Sequence, residues 1–116
     1  MKVGDTYILR GDRPLLCLDH DRWREWVAKN HGRYRLKTPI TVGINGTQLG
    51  TFTVSTVFLG VVAADGKLFE TCVFDDPIDG YEQRYDTLDA ARYGHQALVN
   101  SIKRCQSVEE MQRHFS

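Results

Sequence analysis

GTFTVSTVFLGVV, residues 50–62, is the run whose reading decides the fold. It is dense in β-branched and aromatic residues, the side chains that suit a pleated strand. Phe52, Val54, Thr56 and Phe58 share one face, and Thr53, Ser55, Val57, Leu59 and Val61 share the other. A strand apolar on both sides at its centre predicts an interior position in a sheet, covered at least in part by a helix.

Working outward, Asp65-Gly66 supplies a hairpin turn, and Lys67 to Phe74 is expected to return antiparallel. Its two faces are Leu68/Glu70/Cys72/Phe74 and Phe69/Thr71/Val73. Upstream, Asn45-Gly46 is a second hairpin signal, and RYRLKTPITV at 33–42 alternates as a half-exposed strand. Pro39 puts that strand at a sheet edge or at its own end. Asp75 to Gly80 reads as an acidic turn containing Pro77, with Tyr81 to Tyr85 adding a short strand. TYILRGDRPLLCL at 6–18 reads as two short β segments around a turn built on Gly11 and Asp12.

Three helices complete the pattern. Asp19 or Asp21 caps the first, which presents Trp23, Trp26 and Val27 on one face and stops at His31-Gly32. Thr87 caps the second, expected to reach about Arg104, with Leu88, Ala91, His95, Leu98 and Ile102 in one stripe. Ser107 and Glu110 form a capping-box pair ahead of Val108, Met111 and Phe115. The reading is one α+β domain over residues 1–116: an antiparallel sheet of four or five strands, two main helices, and a short helical tail at 105–116.

The composition fits that reading. The 116 residues are 41% hydrophobic and 26% charged, with ten glycines and three prolines, values of a globular domain rather than a linker or fibre. The longest apolar stretch, Val57 to Ala64, is strand length, so no membrane span is expected. MKVGDTYILRGDR lacks the apolar core of a secretory signal, and Cys17, Cys72 and Cys105 sit in apolar contexts. Buried free thiols in a reducing cytoplasm are therefore expected.

Net charge is zero, but residues 1–58 hold nine basic and five acidic residues, while residues 59–116 hold six and ten. Such halves neutralise one another within the fold, pair between subunits, or bind separate partners. Arg22, Arg24, Arg33, Arg35 and Lys37, interleaved with aromatics, form a candidate surface for short single-stranded nucleic acid or nucleotides. Asp75, Asp76, Asp79, Tyr81 and Tyr85 form a candidate protein-interaction surface, tyrosine being a common interface anchor.

No phosphate loop, dinucleotide fingerprint, zinc-finger spacing or nucleophile elbow occurs, so no cofactor is expected. His95, set in an apolar stripe, needs a polar partner. If the helix covers the Glu70/Cys72 face, either His95, Glu70 and Cys72 converge as base, orienter and nucleophile, or His95 and Glu70 form a buried or half-buried pair that fixes helix to sheet; if it covers the other face, they never meet. Asp19, His20, Asp21 and His31 carry metal-ligand atoms, but capping explains the aspartates, and no metal is expected.

VSTVFLG at 54–60, LFETCVF at 68–74, EQRYDT at 82–87 and ARYGH at 91–95 together resemble small proteins of unknown function encoded by tailed bacteriophages and prophages. Tyr7-Ile8-Leu9 and the Trp23/Trp26 helix extend the resemblance over roughly residues 7 to 100. Those proteins carry a longer glycine- and proline-containing loop where this chain has the tight turn Val61 to Lys67, and a methionine where it has Cys72. The shared Glu70, Thr71, Thr87, Gly94 and His95 carry no known biochemical role. The resemblance implies a phage or prophage accessory protein that binds a host protein, such as a defence-system component, with homodimerisation through the C-terminal helices as a further expectation.

Overall fold

The computed structural model describes residues 2–11, 13–30, 35–44, 47–75 and 78–115. Asp12, His31, Gly32, Arg33, Tyr34, Asn45, Gly46, Asp76 and Pro77 lie outside them. The fold is α+β, with two antiparallel sheets. Strands β1 (Tyr7–Arg10) and β2 (Arg13–Leu16) form a hairpin of their own. Strands β3 (Arg35–Ile44), β4 (Thr47–Phe58), β5 (Phe69–Phe74) and β6 (Glu82–Tyr85) form a four-stranded sheet in chain order. Helix α1 (His20–Asn30) follows the first hairpin, and α2 (Leu88–Arg104) and α3 (Val108–Phe115) close the chain.

The run at 50–62 supplies β4, which is interior as expected, pairing with β3 on one side and β5 on the other. Pro39 is accommodated inside β3 because that strand lies at the sheet edge, where a missing N–H costs no ladder bond. Strand β5 pairs only with Thr53–Phe58. The β3–β4 pair continues past it as a two-stranded ribbon to Ile44 and Thr47, with a bulge at Val42/Gly43. The ribbon stretches the molecule to 54 × 25 × 20 Å.

Alternation decides which sheet face meets the helices. Phe52, Val54, Thr56 and Phe58 of β4, and Phe69, Thr71 and Val73 of β5, are all buried. Helix α2 lays its stripe on this face: Leu88, Ala91, His95, Leu98, Val99 and Ile102 are buried. Its start is set by Thr87, whose side chain accepts a hydrogen bond from the Ala90 N–H at 3.1 Å. Two apolar clusters result. Leu88 and Ala91 join Phe58, Phe69, Leu68 and Leu9; Leu98, Val99 and Ile102 join Phe52, Val54, Val73 and Met111. Each fully buried large side chain contributes roughly 1.5–3 kcal/mol.

Helix α1 has no fully buried residue and is fixed by its tryptophans. Asp19 Oδ1 caps it by accepting from the N–H groups of Asp21 and Arg22. Trp23 Nε1 donates to the carbonyls of Tyr7 at 3.1 Å and Gly60 at 3.2 Å, and Trp26 packs edge-on against Phe58 at 5.7 Å. The first hairpin is joined to the main sheet by a bridge between Thr6 and Val61. Helix α3 begins as the capping pair predicts: the Glu110 N–H donates to Ser107 Oγ at 3.0 Å, and Glu110 Oε2 accepts from the Gln106 N–H at 2.9 Å. Its apolar side turns inward, with Met111 fully buried and Phe115 edge-on to Tyr81 at 5.2 Å. On the outward side of α2, Ala90, Tyr93 and Ala97 are exposed, Tyr93 at 79%.

Gly94 explains itself through Tyr85. A Cβ there would lie 2.1 Å from the Tyr85 hydroxyl and 2.2 Å from the ring, so the tyrosine rests directly on the helix backbone. Alanine is ordinarily about 1 kcal/mol better than glycine inside a helix. Gly94→Ala should instead lower stability by about 1–2 kcal/mol, while the same change in a Tyr85→Ala background should raise it. Urea unfolding of the four proteins in this cycle checks the reversal of sign.

Candidate functional site

His95 lies between the two apolar clusters, 5% exposed, in a layer of threonines. Its Nε2 is 2.8 Å from Thr38 Oγ1 of β3, and its Nδ1 is 2.7 Å from Thr56 Oγ1 of β4. Thr56 Oγ1 is also 2.5 Å from Thr71 Oγ1 of β5. One helix residue is thus tied to three neighbouring strands. A neutral imidazole has one donor and one acceptor, so the layer admits two proton orders. Either Nδ1–H donates to Thr56, which donates to Thr71, while Thr38 donates to Nε2; or every one of these bonds runs the other way. Both orders satisfy every group, and no described buried side-chain nitrogen or oxygen lacks a partner. Burial holds the imidazole pKa below its usual 6.5. The ring is therefore neutral, enclosed and already bonded at both nitrogens.

Glu70 and Cys72 face the other way. The helix covers the Phe69/Thr71/Val73 side of β5, so neither the convergence of His95, Glu70 and Cys72 nor a His95–Glu70 pair between helix and sheet occurs. The physical reason is plain: a strand offering Glu70 on one face and Phe69 and Val73 on the other buries the apolar face. Glu70 Oε2 instead accepts from Arg84 Nε of β6 at 2.9 Å, and Arg84 also reaches Glu82 at 3.5 Å and Asp65 at 3.7 Å. Cys72 Sγ donates to Glu70 Oε1 at 3.2 Å. Burial first, and then the Glu70 carboxylate, push the thiol pKa up to about 12, so Cys72 keeps its proton at neutral pH and is a poor nucleophile.

Glu70, Cys72 and Glu82 bring three potential metal donors within 4.8 Å of one another. Arg84 bonds to both carboxylates and offsets one of the two charges at that corner. At the other metal candidate, Asp19 is spent as the α1 cap and His31 lies outside the described residues.

The two charged stretches neutralise locally rather than across the molecule. On α1, Arg24 pairs with Asp21 at 2.7 Å and Lys29 with Glu25 at 2.8 Å; in the acidic half, Lys67 pairs with Asp86 at 3.3 Å. Arg22 and Arg24 are exposed on α1, while Arg35 and Lys37 project from the uncovered face of β3; Arg33 lies outside the described residues. In the acidic stretch, Asp75 and Asp79 are exposed and joined, the Asp75 N–H donating to Asp79 Oδ1 at 3.1 Å. Tyr81 and Tyr85 are half-buried, spent on Phe115 and Gly94 rather than held out for a partner.

The residues that sequence reasoning missed are Thr38, Thr56 and Thr71. The available signal was parity: each threonine shares a strand face with apolar neighbours, and Thr56 pairs directly with Thr71. Arg84, the real partner of Glu70, was equally hidden, because only the β5–β6 register sets Glu70 opposite it.

The network has a pH signature. The His95 pKa is lower in the folded than in the unfolded chain, so its contribution is present above about pH 6.5 and is lost as pH falls through the folded value. Stability measured by urea unfolding should decline with acid more steeply in the parent than in His95→Gln. Glutamine keeps donor and acceptor but does not titrate. Parallel curves would place the acid sensitivity elsewhere.

Searches of protein-family models, of curated proteins and of solved structures found no match to this chain.

Proposed function

We propose that this chain is a small accessory protein of phage or prophage origin that acts, without catalysis, by binding a protein of the bacterial host. The observation that supports binding is the surface of the first hairpin. Leu15, Leu16 and Leu18 are 39%, 52% and 66% exposed, three large aliphatic side chains within four residues. Leu15 and Leu16 are consecutive in β2 and point to opposite faces of the hairpin, with Leu18 just past the strand. Leaving such groups in water forgoes burial energy, and exposed apolar side chains are a feature of protein-binding surfaces. The hairpin is held firmly from behind. Thr6 Oγ1 donates to the Cys17 carbonyl, the Cys17 N–H donates back to the Thr6 carbonyl at 2.9 Å, and Trp23 holds the Tyr7 carbonyl. A rigid apolar surface binds at a lower entropic cost than a mobile one.

The catalytic reading finds little support in the groups that suggested it. His95 is enclosed with both nitrogens bonded, and Cys72 is protonated on the opposite side of the sheet. The phage or prophage origin rests on the sequence resemblance, which also makes components of host defence systems the partners to test first.

Affinity capture from bacterial lysate, with and without nuclease, tests the proposal when the parent is compared with Leu16→Glu/Leu18→Glu. The expected result is a host protein retained after nuclease by the parent and lost in the variant, with the circular dichroism of the two proteins unchanged. Capture that nuclease abolishes would favour nucleic acid and the Arg22, Arg24, Arg33, Arg35 and Lys37 surface. Capture indifferent to the leucines would remove the hairpin as the binding element.

A further inference from the structure

The face of the four-stranded sheet turned away from α2 has charges of opposite sign on its two sides. Arg35 and Lys37 lie on edge strand β3, and Glu70 and Glu82 lie on β5 and β6. Small side chains separate them: Thr53, Ser55 and Val57 on β4, and Cys72 on β5. The register makes one straight row across the sheet. Lys37 is opposite Ser55, Ser55 opposite Cys72, and Cys72 opposite Glu82. Lys37 is exposed and has no ion-pair partner among the described residues. Beside it a cleft of about 430 Å³ is lined by Arg35, Lys37, Thr53, Ser55, Phe74 and Asp75, with Phe74 51% exposed.

We propose that this face is an isologous interface to which a second copy of the chain docks. Charge selects both the occupant and the symmetry. A two-fold axis lying between the sheets and parallel to the strands carries β3 of one copy over β6 of the other and keeps each row on itself. Lys37 then faces Glu82 of the second copy, twice per dimer. In the neighbouring row, Arg35–Val57–Glu70–Arg84, Arg35 comes over Arg84 of the second copy, whose own charge is outweighed by the carboxylates of Glu70, Glu82 and Asp65 bonded to it. A two-fold axis across the strands sets β3 on β3 and places like charges together, so it is disfavoured. The small central residues let two sheets approach to the usual separation of about 10 Å. The cleft beside Lys37 is where the second copy's Glu82 side chain enters.

Four strands spaced about 4.8 Å apart give a contact of roughly 400 Å² per copy, half of a standard interface, so the dimer is weak and salt-sensitive. This inference is independent of the host-binding proposal, whose leucines lie on the other sheet.

Sedimentation equilibrium of the full chain from about 10 μM to about 1 mM, at low and high salt, is the test. The parent should dimerise reversibly, and added salt should weaken the dimer. Lys37→Glu and Glu82→Lys, both exposed positions, should each weaken association at least about 10-fold with no change in thermal unfolding. An equimolar mixture of the two variants should restore it, because each heterodimer holds two opposite-sign contacts where each homodimer holds two like-sign ones. A parent monomeric throughout the range would overturn the proposal. So would dimerisation unaffected by either reversal, or a mixture that associates no better than its components.

Discussion

The bond set from His95 to Thr38, Thr56 and Thr71 is the constraint on which the rest of the molecule depends. Apolar surfaces in contact are tolerant of sliding; a histidine between two hydrophobic clusters is not. Moving α2 by one turn along the sheet would set the imidazole among Phe58 and Phe69, or among Val54 and Val73, with both nitrogens unbonded. Tyr85 seated on Gly94, next to His95, and the Thr87 cap at its start fix the same helix. Thr71, Thr87, Gly94 and His95 are therefore among the residues that hold helix to sheet. Glu70, through Arg84, does the corresponding work on the uncovered face.

Once α2 is placed, the charges sort themselves. The buried face of the sheet takes threonine and aliphatic side chains, and every lysine, arginine or carboxylate in β3, β5 and β6 is left on the other side. Neutralisation is local, within α1 and around Arg84, so the imbalance between the two halves of the chain survives folding. It reappears as a sheet face basic at one edge and acidic toward the other. Exposed leucines stand mostly elsewhere: Leu15 and Leu16 on β2 and Leu18 just after it, with Leu36 on β3.

The fold was legible because its signals are local. Alternation at 50–62, the Thr87 and Ser107 caps and the i, i+3, i+4 stripe of α2 each act within a few residues. The candidate site was legible only in part. His95 announced itself as a polar residue needing a partner, but the partner is chosen by strand parity and register across three strands. Sequence spacing cannot decide whether a helix covers the Thr71 side or the Cys72 side of β5. The acidic tyrosines misled for a similar reason: Tyr81 and Tyr85 look like surface anchors in sequence, and only the return of α2 and α3 over β6 buries them.

The central claim is that the chemistry-bearing histidine is a structural lock, neutral and enclosed, and not a reactive group awaiting a substrate. The direct measurement is a pH titration of the imidazole nitrogens by NMR on the 15N-labelled chain. The account predicts that the folded His95 ring gains its proton only below the usual imidazole pKa of about 6.5, with both nitrogen shifts reporting hydrogen bonds while it is neutral. A His95 ring that gains its proton reversibly at or above that value, in the folded protein, would contradict it and return His95 to the list of accessible acid–base groups.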